Sequence, residues 1–294
     1  MRVVTLLPGA TEIVAALGGG ELVGISHECD YPPWVTRLPR VTATPIDQRL
    51  SGSAIDTEVR ALRAAGRPVI VADAAELRRL APDLIVTQGL CEVCAVADGT
   101  VHRLAAALDP APKVLSLSAG TLAGIWDDIR TVGRALDVPE EADELVAGLR
   151  ARLTRLGSRS ARRRRRVICV EWLEPLYLAG HWVPELVDAA GGADVGAAPG
   201  SHSTQRTWDE VARLRPELVV IVLCGFGVRR ARNELDQLRN PLARRALADT
   251  PVWILDGNAF TSRPGPRVIE GAERIQAALA GREMPGLERY RWSG

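Results

Sequence analysis

The side chains of this sequence whose types and spacing could do chemistry are imidazoles, thiols and indoles. His27 and Cys29 stand in the run His27-Glu28-Cys29-Asp30, and Cys91 and Cys94 form a Cys-x-x-Cys pair. Two thiolates so spaced can clamp a soft metal, and His27 or Cys29 could complete a tetrahedral site, with zinc as the candidate ion. The same pair after a strand and at the start of a helix is also the layout of a thiol redox motif. Against both stands the ordinary fate of these residues: Cys is usually buried as a small hydrophobe, and a lone His is usually structural. Clustering argues the other way. Three of the four histidines and four of the five cysteines fall on loops that follow predicted strands, His102 and Cys169 being the exceptions. Trp172, Trp182, Phe226 and Phe260 fall on the same set of loops, with Glu28, Gln88, Glu174, His181, His202, Asn258 and Arg263. Apolar faces with a few polar groups to fix orientation are the make-up of a small-molecule site.

These loops need a scaffold, and the pattern supplies one. Short apolar strands are predicted at Val3–Leu7, Leu22–Ser26, Pro68–Ala72, Leu84–Thr87 and Val114–Leu117, with helices at Thr11–Leu17 and Ala74–Leu80. The same grammar restarts with strands at Arg166–Glu171, Leu218–Leu223 and Val252–Leu255 and helices at Val183–Ala190, Trp208–Leu214 and Val268–Leu279. Strands alternating with helices predict parallel sheets wrapped by helices, an α/β fold. Between the sets, Thr121–Leu136 reads as a helix, and Pro139-Glu140-Glu141 opens a second that runs to about residue 157. The expected division is an N-terminal lobe over 1–120, a helical segment over 121–160 and a C-terminal lobe over 161–294. A small duplication supports two lobes: Leu80-Ala81-Pro82-Asp83-Leu84-Ile85-Val86 is echoed by Leu214-Arg215-Pro216-Glu217-Leu218-Val219-Val220.

Thr5-Leu6-Leu7-Pro8-Gly9-Ala10-Thr11-Glu12, Leu22-Val23-Gly24-Ile25-Ser26, Asp30-Tyr31-Pro32-Pro33, the element at Leu80–Val86 and Ser262-Arg263-Pro264-Gly265-Pro266-Arg267 occur in this order. Together they resemble the cobalamin- and siderophore-type (helical-backbone, class III) substrate-binding proteins of bacterial ABC importers, over essentially the whole chain. The resemblance implies two Rossmann-like lobes joined by one rigid bridging helix, with a small-molecule ligand in the cleft between them, outside the carboxyl ends of the strands. It implies a corrinoid or related metal chelate as ligand, and binding rather than catalysis. Glu28 matches a place where cobalamin binders use an aromatic contact, and Trp172 is similar in position to an aromatic that packs on the corrin ring. Under this reading Cys91, Cys94 and the histidines contact the ligand, and the neutral imidazole of His27, His181 or His202 is a candidate donor to cobalt. The family also presents an acidic residue on each lobe to an ABC permease. Asp209 stands at the matching place in the second lobe, and Glu76 falls one residue from it in the first, where Ala75 stands.

Composition narrows the classes further. The 294 residues are 47% hydrophobic and 25% charged with a net charge of +1, which suits globular lobes and offers no field for nucleic acid. Arg162–Arg166 is a basic run without aromatic interleaving and reads as a solvated loop. No segment approaches the ~20 apolar residues of a membrane span. Met1-Arg2 leads directly into a strand-length apolar run, so the N-terminus reads as that of a cytoplasmic protein, whereas loss of a leader would place it in the periplasm or outside the cell. No nucleophile elbow, phosphate loop or zinc-protease motif is present, so an enzyme or metal-handling protein built on the Cys/His cluster is the alternative to a binding protein.

Overall fold

The structure is a computed structural model and describes residues 1–89, 96–157 and 163–292. The chain divides into two compact units. Unit 1 comprises Met1–Leu50, Ala54–Ala119 and Ala123–Ala147; unit 2 comprises Ser51–Ser53, Gly120–Leu122 and Gly148–Gly294.

Unit 1 contains β1 (Arg2–Thr5), α1 (Pro8–Leu17), β2 (Glu21–Gly24), β3 (Thr42–Ala43), most of α2 (Gly52–Ala64), β4 (Val71–Ala72), α3 (Ala74–Leu80), β5 (Leu84–Gln88), α4 (Asp98–Ala106), β6 (Lys113–Leu117), most of α5 (Leu122–Ala135) and the first part of α6 (Pro139–Gly157). Its main sheet runs β2-β1-β5-β6, parallel throughout. β5 is buried at every position, as a strand covered on both faces must be. Val4, Leu6, Ile85, Leu77 and Val101 meet in one apolar cluster beneath it. Helix α1 begins at Pro8, three residues before the predicted start, because proline lacks an N–H and has φ preset for the first helical position.

The strand predicted over Pro68–Ala72 is reduced to Val71–Ala72, which pairs antiparallel with β3. Val69 and Ile70 are instead buried in the core cluster. An apolar run without alternation marks burial, not conformation, and Pro68 cannot donate to a ladder. Helices α2 and α4 were not predicted, although Ile55, Val59 and Leu62 carry helical spacing.

Helix α6 spans 19 residues, about 28 Å at ~1.5 Å per residue. The division between the units falls inside it, after Ala147. Its first part packs on α5, where Gly133 leaves room for Ala142: a Cβ on Gly133 would lie 2.4 Å from that methyl. Its last part is held to the closing helix of unit 2 by Arg152–Glu273 (2.8 Å) and by Gln276 Nε2 donating to the Leu156 carbonyl (3.1 Å).

Unit 2 continues with β7 (Arg166–Leu173), β8 (Leu176–Leu178), α7 (Val183–Ala189), β9 (Ala193–Asp194), β10 (Thr204–Gln205), α8 (Trp208–Arg213), β11 (Leu218–Ile221), α9 (Val228–Gln237), α10 (Pro241–Leu247), β12 (Val252–Leu255), α11 (Gly257–Phe260), α12 (Val268–Leu279) and β13 (Leu287–Tyr290). Its sheet order is β10-β8-β7-β11-β12-β13, with β9 beside the start of β7. The centre β7-β11-β12 is parallel as predicted. The edges β8, β10 and β13 are antiparallel, so this sheet is mixed. Only Glu174 and Pro175 separate β7 from β8, a link too short for a crossover.

The duplicated heptad is one device built twice. Ala81 and Arg215 both take left-handed backbone (φ 42° and 45°) ahead of a proline. The acid that follows clasps the first strand of its unit. Asp83 accepts the Arg2 amide (2.6 Å) and donates its own N–H to the Arg2 carbonyl (2.8 Å). Glu217 does the same with Arg166 (3.0 and 2.8 Å). Each arginine side chain then reaches the open end of the preceding helix: Arg2 Nε donates to the Leu80 carbonyl (3.0 Å) and Arg166 Nη2 to the Leu214 carbonyl (2.7 Å). A cation at a helix carboxyl end also meets the negative pole of its dipole.

The arginine run read as a solvated loop lies, in its described part, between α6 and the start of β7 with Arg163, Arg164 and Arg166 exposed, and several of its side chains also bind the scaffold. Arg164 binds the Gly192 carbonyl beyond α7 and the Asp188 carboxylate. Arg165 bridges the carbonyls of Glu217 and of Leu279, the last residue of α12. Arg163, with its side chain 81% exposed, makes one surface ion pair with Glu217. Arg165→Ala is therefore expected to cost about 2 kcal/mol in denaturant unfolding, since two hydrogen bonds from a charged donor are lost. Arg163→Ala should change stability by less than about 0.5 kcal/mol. Equal effects would show that the run acts only as bulk charge.

Asp194 lies beside the start of β7, where Oδ1 accepts the amides of Gly196 (2.8 Å) and Ala197 (3.1 Å) and Oδ2 is buried without a partner. Burial pushes its carboxyl up from 3.8 to about 6. A folded pKa above the unfolded one means that the native state holds the proton more tightly. This contribution is thus greatest below about pH 4, declines as the pH rises toward 6 and is flat above. Asp194→Asn keeps the Oδ1 acceptor. It should raise stability at pH 7 by on the order of 2 kcal/mol and leave it unchanged at pH 4 in paired denaturant melts.

Candidate functional site

In unit 1 the carboxyl end of β2 opens into a loop whose ends are tied together. Ile25 donates to the Pro39 carbonyl (3.0 Å) and Val41 donates to the Ile25 carbonyl (2.8 Å), so the chain leaves at Ser26 and returns at Arg40. Arg40 Nη1 grips the loop from within by donating to the carbonyls of Ser26 (2.8 Å) and Cys29 (2.5 Å). His27 is held by one hydroxyl: Thr42 Oγ1 accepts its backbone N–H (2.9 Å) and lies 2.7 Å from its Nδ1. Its Nε2 is buried without a hydrogen-bond partner. Burial, reinforced by the Arg40 guanidinium, holds the imidazole pKa below its ordinary value, so the ring is neutral near pH 7.

Glu28 points outward, whereas Cys29 is buried with Sγ 2.9 Å from Thr11 Oγ1 of α1. His27 and Cys29 thus pack against different elements. Cys91 and Cys94, expected to join them around zinc, lie outside the described residues. Among the described residues no three His, Cys, Asp or Glu side chains are grouped to hold a metal ion. Gln88 is the buried last residue of β5, at the carboxyl end where it was expected.

The same loop carries two aromatics that are not among the expected site residues, although Tyr31 belongs to the Asp30-Tyr31-Pro32-Pro33 motif. Tyr31 is 40% and Trp34 49% exposed, and they are the exposed aromatic side chains among the described residues. Trp34 sits on a short 3₁₀ turn, Pro33–Arg37. An aromatic inside a loop that follows a strand was the available signal.

In unit 2, Trp172 lies in β7 and not in the loop after it, because β7 extends to Leu173 and pairs there with β8. Its ring meets Phe226 edge to face at 5.4 Å, and the Arg230 guanidinium lies 3.7 Å above the other ring. A cavity of about 120 Å³ opens beside them, lined in part by Ser51, Gly52, Glu174, Leu238 and Glu234. Glu234 Oε2 accepts the Gly52 amide at 3.0 Å.

The other aromatic candidates face inward. Phe226, Trp182 and Phe260 are 3%, 6% and 9% exposed. Trp182 Nε1 donates to the Thr261 carbonyl (3.0 Å), and Phe260 lies under the Arg274 guanidinium at 3.6 Å. They brace the loops from inside and do not offer open faces. Asn258 and Arg263 are brought together, with Asn258 Oδ1 accepting from Arg263 Nη2 at 2.9 Å. His181 and His202 also meet, their ring centroids 5.3 Å apart. Asp209 is exposed at the start of α8. Glu76 is already engaged by Arg79 through two hydrogen bonds (2.9 and 2.5 Å), which hold its carboxyl below the usual range.

Comparison with known proteins bears on this arrangement. A Vitamin B12-binding protein of Vibrio cholerae serotype O1 is 23% identical over 282 residues, covering 93% of this chain and 87% of its own length. A periplasmic heme-binding protein from Pseudomonas aeruginosa superposes with a TM-score of 0.72 at 22% identity, covering 100% of this chain and 99% of that one. The periplasmic vitamin B12-binding protein of Vibrio cholerae gives 0.63 at 22% identity, covering 96% and 98%. No helix among the described residues is long and apolar enough to cross a membrane. The family model described as periplasmic binding protein matches residues 3–253, the greater part of the sequence, and the chain belongs to that family.

Proposed function

We propose that this protein binds a corrinoid, or a closely related metal-chelating macrocycle, on loops at the carboxyl ends of its parallel strands. The observation that carries the reading is the placement of the exposed aromatics. Tyr31 and Trp34 lie three residues apart on the loop after β2 and are 40% and 49% exposed. Exposed aromatic surface of this kind marks an interaction site, and indole and phenol faces suit a broad flat ligand. The neutral imidazole of His27 on the same loop is a candidate for polar contact. The unit 2 cavity beside Trp172, at about 120 Å³, is well below the ~300 Å³ of even small ligand pockets. It suits a side group of a ligand and not a macrocycle.

The names of the relatives support this class of ligand: one binds vitamin B12 and another heme. Carriage of the ligand, with delivery to an ABC permease, is part of the proposal. Asp209 is the better placed docking acid, because Glu76 would first have to release Arg79.

The test is calorimetric titration of the full chain with hydroxocobalamin and, separately, with hemin, while indole fluorescence is followed. Saturable binding of hydroxocobalamin near one per chain is expected. Trp34→Ala should weaken it about tenfold, the ~1.4 kcal/mol of a lost aromatic contact. Binding of hemin alone would replace the corrinoid by a porphyrin. Binding of neither at high micromolar ligand would overturn the proposal.

A further inference from the structure

We propose that His181 and His202 form an open two-imidazole site for a divalent transition-metal ion of the zinc, nickel and copper class. The pair lies where two loops of unit 2 cross, one after β8 and one before β10. The proposal concerns the ion itself and does not depend on the ligand proposed above.

The crossing is built by the backbone. The His181 amide donates to the Ser201 carbonyl at 2.6 Å, and the Gly200 amide donates to the His181 carbonyl at 2.9 Å. The Gly180 amide donates to Ser203 Oγ at 3.2 Å. Gly180 is required here, since a Cβ would lie 2.3 Å from the Ser201 carbonyl oxygen. His181 adopts φ 53°, a left-handed conformation that costs a non-glycine residue roughly 1 kcal/mol or more. Such strain persists where the surroundings over-determine it, and it clusters at functional sites. Its effect here is to set one imidazole against the other.

The edge-to-face ring separation is compatible with chelation. The centroids are 5.3 Å apart with the planes at 90°. Two imidazoles sharing one tetrahedral ion, each through a bond of ~2.0–2.1 Å, have centroids about 5 Å apart. The protonation state fits as well: burial, and then the neighbouring His202, hold the His181 pKa below its ordinary value, and neutral imidazole is the ligating form. Among the described residues no third His, Cys, Asp or Glu completes a cluster around the pair. The ion would therefore keep positions open to water or to an outside donor, and His202 is exposed to receive it.

The experiment is calorimetric titration of the full chain with Ni²⁺ at pH 7.5, in the parent and in a Cys91→Ser/Cys94→Ser variant. One ion per chain is expected to remain bound in the serine variant. His202→Ala, and His181→Asn (asparagine tolerates the left-handed backbone), should each weaken that binding at least tenfold, whereas His102→Ala should not. Titration with Co²⁺ should give a spectrum from nitrogen and oxygen donors, without thiolate charge-transfer bands, in the same serine variant. Circular dichroism melts of the His variants establish that the fold is retained. Absence of binding in the serine variant, or binding indifferent to both histidine substitutions, would overturn the proposal.

Discussion

A single clasp, made once in each unit, joins the start of the first strand to the start of its neighbour and to the end of a helix. An acid behind a proline, Asp83 or Glu217, takes the amide of an arginine, Arg2 or Arg166. The same arginine closes the open carbonyls of the helix just ended. Parallel strands cannot be joined by a tight turn, so each pair needs a crossover and a defined place to re-enter the sheet. The clasp supplies that place. It fixes β1 against β5 and β7 against β11 at their amino ends, and the registers Val3–Leu84 and Leu218–Val167 follow.

Much of this was legible. The Leu-x-Pro-acid-Leu repeat is visible in the sequence, and its physical content is a helix stop, a left-handed residue, a proline that cannot extend the helix, and a strand. Helices with clear apolar spacing and a stop, such as Ala74–Leu80 and Val268–Leu279, have the predicted bounds. The antiparallel edges of the second sheet were not read, because short strands such as Leu176–Leu178 and Thr204–Gln205 carry too few residues for a period to show. The Val69–Ile70 run misled for a related reason: apolarity reports depth, and here the depth is occupied by a loop.

The site was legible as a set of loops and not as a set of faces. Loop membership follows from the order of elements, and His27, Trp172, His181 and His202 are at or beside strand ends. Which aromatic points outward depends on packing partners far away in sequence. Trp182 finds the Thr261 carbonyl and Phe260 finds Arg274, so both turn inward. Trp34 remains 49% exposed. A five-arginine run read by composition suggested a solvated loop. Read with the elements around it, three of its described members, Arg164, Arg165 and Arg166, also bind backbone carbonyls.

The placement of the clasps bears on how such a molecule can change over generations. Both stand at the amino ends of the strands, while His27, Tyr31 and Trp34 stand beyond the carboxyl end of β2. A substitution that reshapes a carboxyl-end loop meets none of the arginine–acid contacts that set strand register. The scaffold and the recognition surface are therefore nearly separate inheritances. A lineage that keeps two arginines and two acids can trade one ligand for another by altering loops, without having to solve the folding problem again.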